Sequence, residues 1–340
     1  MKRIFSSKRD RLPAKAGVFL IMAALIAGMV GCDYNPPPSQ NLEIRTWYDL
    51  DAVRHDMGGS YILMNDLDST TAGYEELASP TANGGEGWKP IGWGGWGWTW
   101  FGVKAFGEVF KGTFDGQGYE IRDPYIISQG QVGLFGFVHG GAMIKNIALI
   151  NATVTEGDAA GVSVGLDGVT VRCFDVAPAG GVGGLVGYNG GTVSNCYVMG
   201  NITGGLDVGG LVGFNGGTVS NCYATGSVCG GEDVGGLVGL NLGAVSNCYC
   251  SSGVIGNYVV GGLVGSNGGT VGNCFWDTET SGQTTSDGGT GKTTAQMKDI
   301  VTFSGVGWNI TAVANAGTRN TAYIWNIVDG QTYPFLSWQA

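Results

Sequence analysis

The sequence predicts an all-β fold, a parallel β-helix with coils of about 26 residues, and three observations predict it. A block beginning GGLVG recurs at Gly183, Gly209, Gly235 and Gly261, each start 26 residues after the last. Gly supplies 65 of the 340 residues without a collagen triplet, while 43% of residues are hydrophobic, so the glycines mark tight turns and close backbone approaches rather than disorder. Between Gly and Asn corners lie only short β-prone runs, such as Leu185-Val186 and Thr192-Val193. Fixed self-similarity at this period is the mark of a solenoid. Leucine-rich repeats share the period but need helical turns, and each Gly costs a helix about 1 kcal/mol against Ala.

The N-terminus carries an export address. Lys2, Arg3, Lys8, Arg9, Arg11 and Lys15 precede the apolar run AGVFLIMAALIAGMVG at 16–31, short for a bilayer span but suited to a signal peptide. The run stops at Cys32, and a polar, Pro-rich tether follows over residues 32–42. Met29-Val30-Gly31-Cys32 resembles a bacterial lipoprotein box, with Met29 where Leu is usual, which implies cleavage after residue 31 and lipidation of Cys32. Ordinary cleavage or an uncleaved anchor are the alternatives. Loss of residues 1–31 removes six of 17 Lys/Arg and one of 27 Asp/Glu, leaving a net charge of −15. That sign argues against nucleic acid or anionic lipid headgroups as partners.

The β-helix is expected over 43–275. SYILMNDLD (60–68) and FKGTFDGQGYEI (110–121) read as first coils, short apolar alternations closed by Asp, Asn or Gly. VGLFGFVHGGAMIKNIAL (132–149) and GVSVGLDGVTVRCF (161–174) read as degenerate coils. The clean repeats then run from 183 to 275. Stacked coils lie about 4.8 Å apart, so identical residues form columns. Asn189, Asn215, Asn241 and Asn267 should make an amide ladder, and Asn195, Asn221, Asn247 and Asn273 a column of bends. Cys196, Cys222, Cys248 and Cys274 should form a buried thiol column, with disulfides between coils as the alternative. Residues 276–340 should form a cap, with TTAQMKDI as one short capping helix and YIWNIVDGQTYPFLSW as a β cap over the open edge of the last coil.

The GGLVGxNxGxVSNCY units resemble the GLUG motif of bacterial and archaeal surface proteins. The flanks W-K-P-I-G (88–92), GTFDGQGYEI (112–121), FWDTETSGQ (275–283), GGTGKTTAQM (288–297) and WNIVDGQTYPFLSW (325–338) look like its usual surroundings. The resemblance covers residues 43–340 and implies an extracytoplasmic, right-handed β-helix of adhesin-like type. It implies no catalytic residue, because the motif is structural.

Chemistry is sparse. GGTGKTT (288–294) has the flavour of a phosphate loop, but the first Gly of that motif would fall at Ser286, so a turn into the capping helix is expected instead. No C-x₂-C pair exists and only His55 and His139 are present, so neither a metal site nor any cofactor is expected. Asp66, Asp68 and Asp115, and the period-related Asp207 and Asp233, sit in turn-like contexts where carboxylates cap backbone N–H groups. Tyr197, Tyr223, Tyr249 and Phe275 form a column that suits wall packing more than a ligand platform.

The exception is GWKPIGWGGWGWTWFG. Trp88 is expected in the core, but Trp93, Trp96, Trp98 and Trp100 lie in a Gly-spaced insertion that no period requires. Rings left in water are costly unless a ligand or the helix wall covers them. The expected function is therefore a non-enzymatic surface lipoprotein that binds a glycan or another cell-envelope component through these four Trp. A polysaccharide-active enzyme and a passive stalk are the alternatives; an enzyme needs clustered carboxylates and basic groups, and residues 181–275 contain only Asp207, Glu232 and Asp233.

Overall fold

The computed structural model describes residues 41–93, 95–99, 102–157 and 180–339, the backbone alone for 95–99 and 102–106. Cys32, expected to be lipidated, Trp100 and the segment 161–174 lie outside the described residues. Within 41–339 the chain coils into three parallel sheets, and each clean coil contributes to all three in the same order. Val186–Asn189 lies in the third sheet, Thr192–Ser194 in the first, and Tyr197–Thr203 with Leu206–Gly209 in the second.

The register proves the period. Val186 pairs with Val212, Val238 and Val264 in turn, Thr192 with Thr218, Ala244 and Thr270, and Tyr197 with Tyr223, Tyr249 and Phe275. Alternation at each strand turns Leu185, Val186, Val193, Cys196, Val198 and Ile202 into one continuous core, all of them buried. Corners repeat as well. Asn195, Asn221, Asn247 and Asn273 all adopt left-handed backbone with φ between 51° and 53°, a conformation that Asn tolerates better than most residues.

The buried Asn column is a hydrogen-bonded ladder. Asn189 Nδ2 donates to Asn215 Oδ1 at 2.8 Å, Asn215 to Asn241 at 2.8 Å, and Asn241 to Asn267 at 2.7 Å. Each Oδ1 also accepts from the backbone N–H two residues on, as Asn189 does from Gly191. A buried amide therefore satisfies its own turn and the neighbouring coil together.

Upstream coils are irregular but continuous. Phe135, Ile144 and Ala148 of the 132–149 coil pair with Val186, Val193 and Tyr197, so the ladder passes directly from that coil into the clean repeats. Phe114 pairs with Ile144, Tyr61 with Phe114, and Leu42 with Tyr61. The helix Trp47–Ala52 was not anticipated. Thr46 and Asp49 form a reciprocal capping box at its start, and Trp47, Leu50 and Val53 enter the core near Trp88.

The C-terminal segment differs from the expectation in where its aromatic strand pair lies, which is along the wall rather than over the end. The last coil is closed instead by residues 283–292: Thr285 O accepts from Gly262 N, Ser286 Oγ from Leu263 and Val264 N, and Thr290–Lys292 pairs with Phe275–Asp277. GGTGKTT is thus a closing strand, with Thr293 as N-cap of the following helix. TTAQMKDI is split between helices Thr294–Met297 and Ile300–Ser304 rather than forming one. The rest folds back along the outside of the second sheet. Tyr197, Tyr223 and Tyr249 stack at 4.7 and 4.9 Å, and Trp338, Trp325, Tyr333, Trp308 and Phe303 cover that column from Tyr197 to Phe275. The Tyr column is wall packing, because the solenoid's own C-terminus is its partner.

Candidate functional site

The Trp-rich insertion interrupts one strand of the third sheet. Ile91 bridges to Phe135 and Phe110 to Val138, so only Gly136 and Phe137 separate positions that residues 92–109 separate on the other coil. The excess leaves the ladder as an antiparallel hairpin, Gly95–Thr99 against Gly102–Phe106, with Trp96 opposite Ala105 and Trp98 opposite Val103. Its stem is closed by Trp93 N donating to Glu108 O at 2.7 Å. Gly92 makes the exit possible: its φ is +76°, and a Cβ there would lie 2.7 Å from Phe137 O. Gly107, with φ +111°, frames the return.

Trp88 is buried, its Nε1 donating to Leu134 O, as the sequence predicts. Trp93 is 60% exposed at the outgoing leg of the stem. The structure places positions 96 and 98 two apart on the outgoing strand; their side chains, and all of Trp100, are outside the description.

Two depressions flank the stem, which sequence reasoning missed because their walls come from four separate stretches of chain. One, of about 450 Å³, is lined by Arg54, Glu86, Lys89, Pro90, Trp93 and residues 128–131. The other, of about 320 Å³, is lined by Arg54, His55, Asp56, Met57, Gly107, Glu108, Val109 and Lys111. Arg54 forms the wall between them. It is held by Asp51 Oδ1 at 2.6 Å, by the carbonyls of Lys89 and Pro90, and by the Trp88 ring 4.9 Å from its Cζ. Its charge is thereby spent on positioning the W-K-P-I-G stretch.

The remaining candidates are structural. Asp66 Oδ1 accepts from Glu120 N, and Asp68 Oδ1 from Thr70 N and both Thr70 and Thr71 hydroxyls. Asp115 takes Gln117 N and Asn146 Nδ2, with Lys145 at 3.1 Å; burial opposes these bonds, but together they hold its carboxyl below the usual range. Asp207 and Asp233 lie within strands rather than turns, each on left-handed backbone, φ 49° and 51°, where the pairing register skips them. The four column cysteines are free and buried, each backbone N–H of Cys196, Cys222 and Cys248 donating to the next Sγ at 3.4 Å. Burial, then the neighbouring thiols, pushes the Cys222 thiol up. Cys229, which stands off this column, is disulfide-bonded. Among the described residues no cluster of His, Cys, Asp or Glu has the geometry of a metal site.

Comparison with known proteins places the fold and the repeat. A crystal structure from Bacteroides ovatus, of a candidate immunoglobulin A1 protease, superposes with a TM-score of 0.55 over 89% of this chain and 94% of its own, at 17% identity. That likeness is one of fold alone. Halomucin of Haloquadratum walsbyi is 32% identical over 162 residues, 45% of this chain. The chain spans only about 2% of that relative's length. The family model described as the GLUG motif matches residues 179–203 and 204–228, the coils in which the Asn ladder and Cys column begin. The chain therefore carries GLUG-motif repeats over residues 179–228.

Proposed function

We propose that the chain is a non-enzymatic, lipid-anchored protein of the cell envelope that binds a surface glycan or another envelope component through the Trp insertion. One observation carries the reading: a Gly-framed hairpin bearing Trp leaves a regular ladder where two polar depressions meet. Sugars suit such a place, because their C–H faces stack on aromatic rings while hydroxyls bond to polar side chains. The envelope placement is supported by the basic, apolar and Cys32 sequence at the N-terminus and by the likeness to a protein named halomucin.

Replacing both Trp96 and Trp98 by Ala should abolish binding to polysaccharide or isolated cell walls in a pull-down, with the melting temperature almost unchanged. If the double variant unfolds instead, the hairpin is a cover for the coils beneath it. For the anchor, Cys32→Ala should release the protein from membranes on fractionation; retention equal to wild type would refute lipidation.

A further inference from the structure

We propose that the two depressions are paired subsites for one ligand, an internal stretch of a linear, uncharged polysaccharide that crosses the hairpin stem. The inference rests on the glycan-binding reading above and makes it more specific.

The stem's two legs divide the site: Trp93 lines the 450 Å³ depression and Glu108 the 320 Å³ one, and these two residues are bonded to each other across the stem. Arg54 lines both, so the depressions adjoin. Their chemistry is alike and mixed in sign. With Arg54 paired to Asp51, the first presents Lys89 with Glu86, beside Ser128, Gln129 and Gln131. The second presents Lys111 with Asp56 and Glu108, beside His55. Neither offers the surplus of cations that a polyuronate or sulfated chain would require. Both offer hydroxyl-matching donors and acceptors, and the first adds the exposed Trp93 ring as a stacking surface.

Both depressions are open at their sides rather than closed tunnels. Nothing there demands a chain terminus, so a polymer can enter and leave. Occupying the second subsite is then an intramolecular step once the first is filled, and affinity should rise steeply when the oligomer becomes long enough to span both.

The test uses the full chain in detergent micelles and a panel of neutral, linear β-1,4-linked glucose, mannose and xylose oligomers from disaccharide to octasaccharide, with oligogalacturonate as the charged control. Titration calorimetry should show affinity for at least one neutral series rising by tenfold or more at a threshold length. Two double variants divide the site: Lys89→Ala with Gln131→Ala at a half-buried position, and Glu108→Ala with Lys111→Ala. Each should remove the length-dependent gain, so that the octasaccharide binds no more than about threefold tighter than the disaccharide, and melting curves check that both fold. Affinity independent of length, a loss confined to one double variant, or stronger binding of oligogalacturonate would overturn the paired-subsite inference while leaving a glycan site at the hairpin. No binding of the unaltered chain to any oligomer or to isolated cell walls would overturn both.

Discussion

Asp207 stands on half-buried, left-handed backbone with Asp233 one coil away and Glu232 next to it. Burial first, then Asp233 and Glu232, pushes its carboxyl up to about 7, and Asp233 is raised by burial and by Glu232 and Asp287. No salt bridge reaches Asp207 among the described residues. The folded state therefore holds a proton that the unfolded chain, with an ordinary value of about 3.9, releases earlier. That contribution to stability is complete below about pH 4 and is lost as pH rises toward 7. Asp207→Asn keeps the φ of +49°, which Asn accepts. It should raise the melting temperature at pH 7.5 by a few degrees and flatten the decline between pH 4 and 7. An unchanged pH profile would show that the Asp pair is solvated well enough to ionise freely. Repetition thus has opposite consequences for different side chains. The same one-coil spacing that lets Asn189 and Asn215 share a hydrogen bond forces two carboxylates to share a site.

At the scale of elements, the helix wall and its C-terminal flank depend on each other. Trp325 is fully buried, with its ring against Tyr223, Tyr249 and Trp308. Trp325→Ala should cost about 3–5 kcal/mol. The loss should fall on the flank: hydrogen exchange should quicken through residues 294–339 while the amides of Val186–Asn267 stay protected. Uniform acceleration would mean that solenoid and flank unfold as one unit. The coils were legible because a period in sequence becomes a register in space, and Val186 on Val212 needs no further information. The flank was misplaced because its aromatic run showed that it covers something, but the expectation chose the end of the solenoid, when the Tyr197–Phe275 column was the apolar surface awaiting a cover. The helix at Trp47 escapes a strand-period reading, although Thr46-x-x-Asp49 is a legible capping signal. At the candidate site, the insertion was visible as Trp without a period. The depressions were not, since Arg54, Lys89, Glu108 and Gln131 meet only after coiling.

For the whole molecule, one coil is an interchangeable part. Residues 209–234 begin and end on the same registers as the coils before and after, with Val212 between Val186 and Val238 and Tyr223 between Tyr197 and Tyr249. Deleting those 26 residues should let Val186 meet Val238 and the Asn ladder reseal, so the chain should still give a β-rich circular dichroism spectrum. A spectrum of unfolded chain would show that the coils are not equivalent.

The flank makes such deletion unequal to its local chemistry. It reaches from Phe303 on Phe275 back to Trp338 on Tyr197, four successive coils of one wall. A segment of set length clasped across a set number of coils acts as a gauge. Repeat arrays grow and shrink by unequal recombination, and the ladder alone would tolerate any number. Here a lineage that gained or lost a coil would carry a clasp too short or too long for its wall, so the C-terminal segment selects the copy number that the repeats themselves leave free.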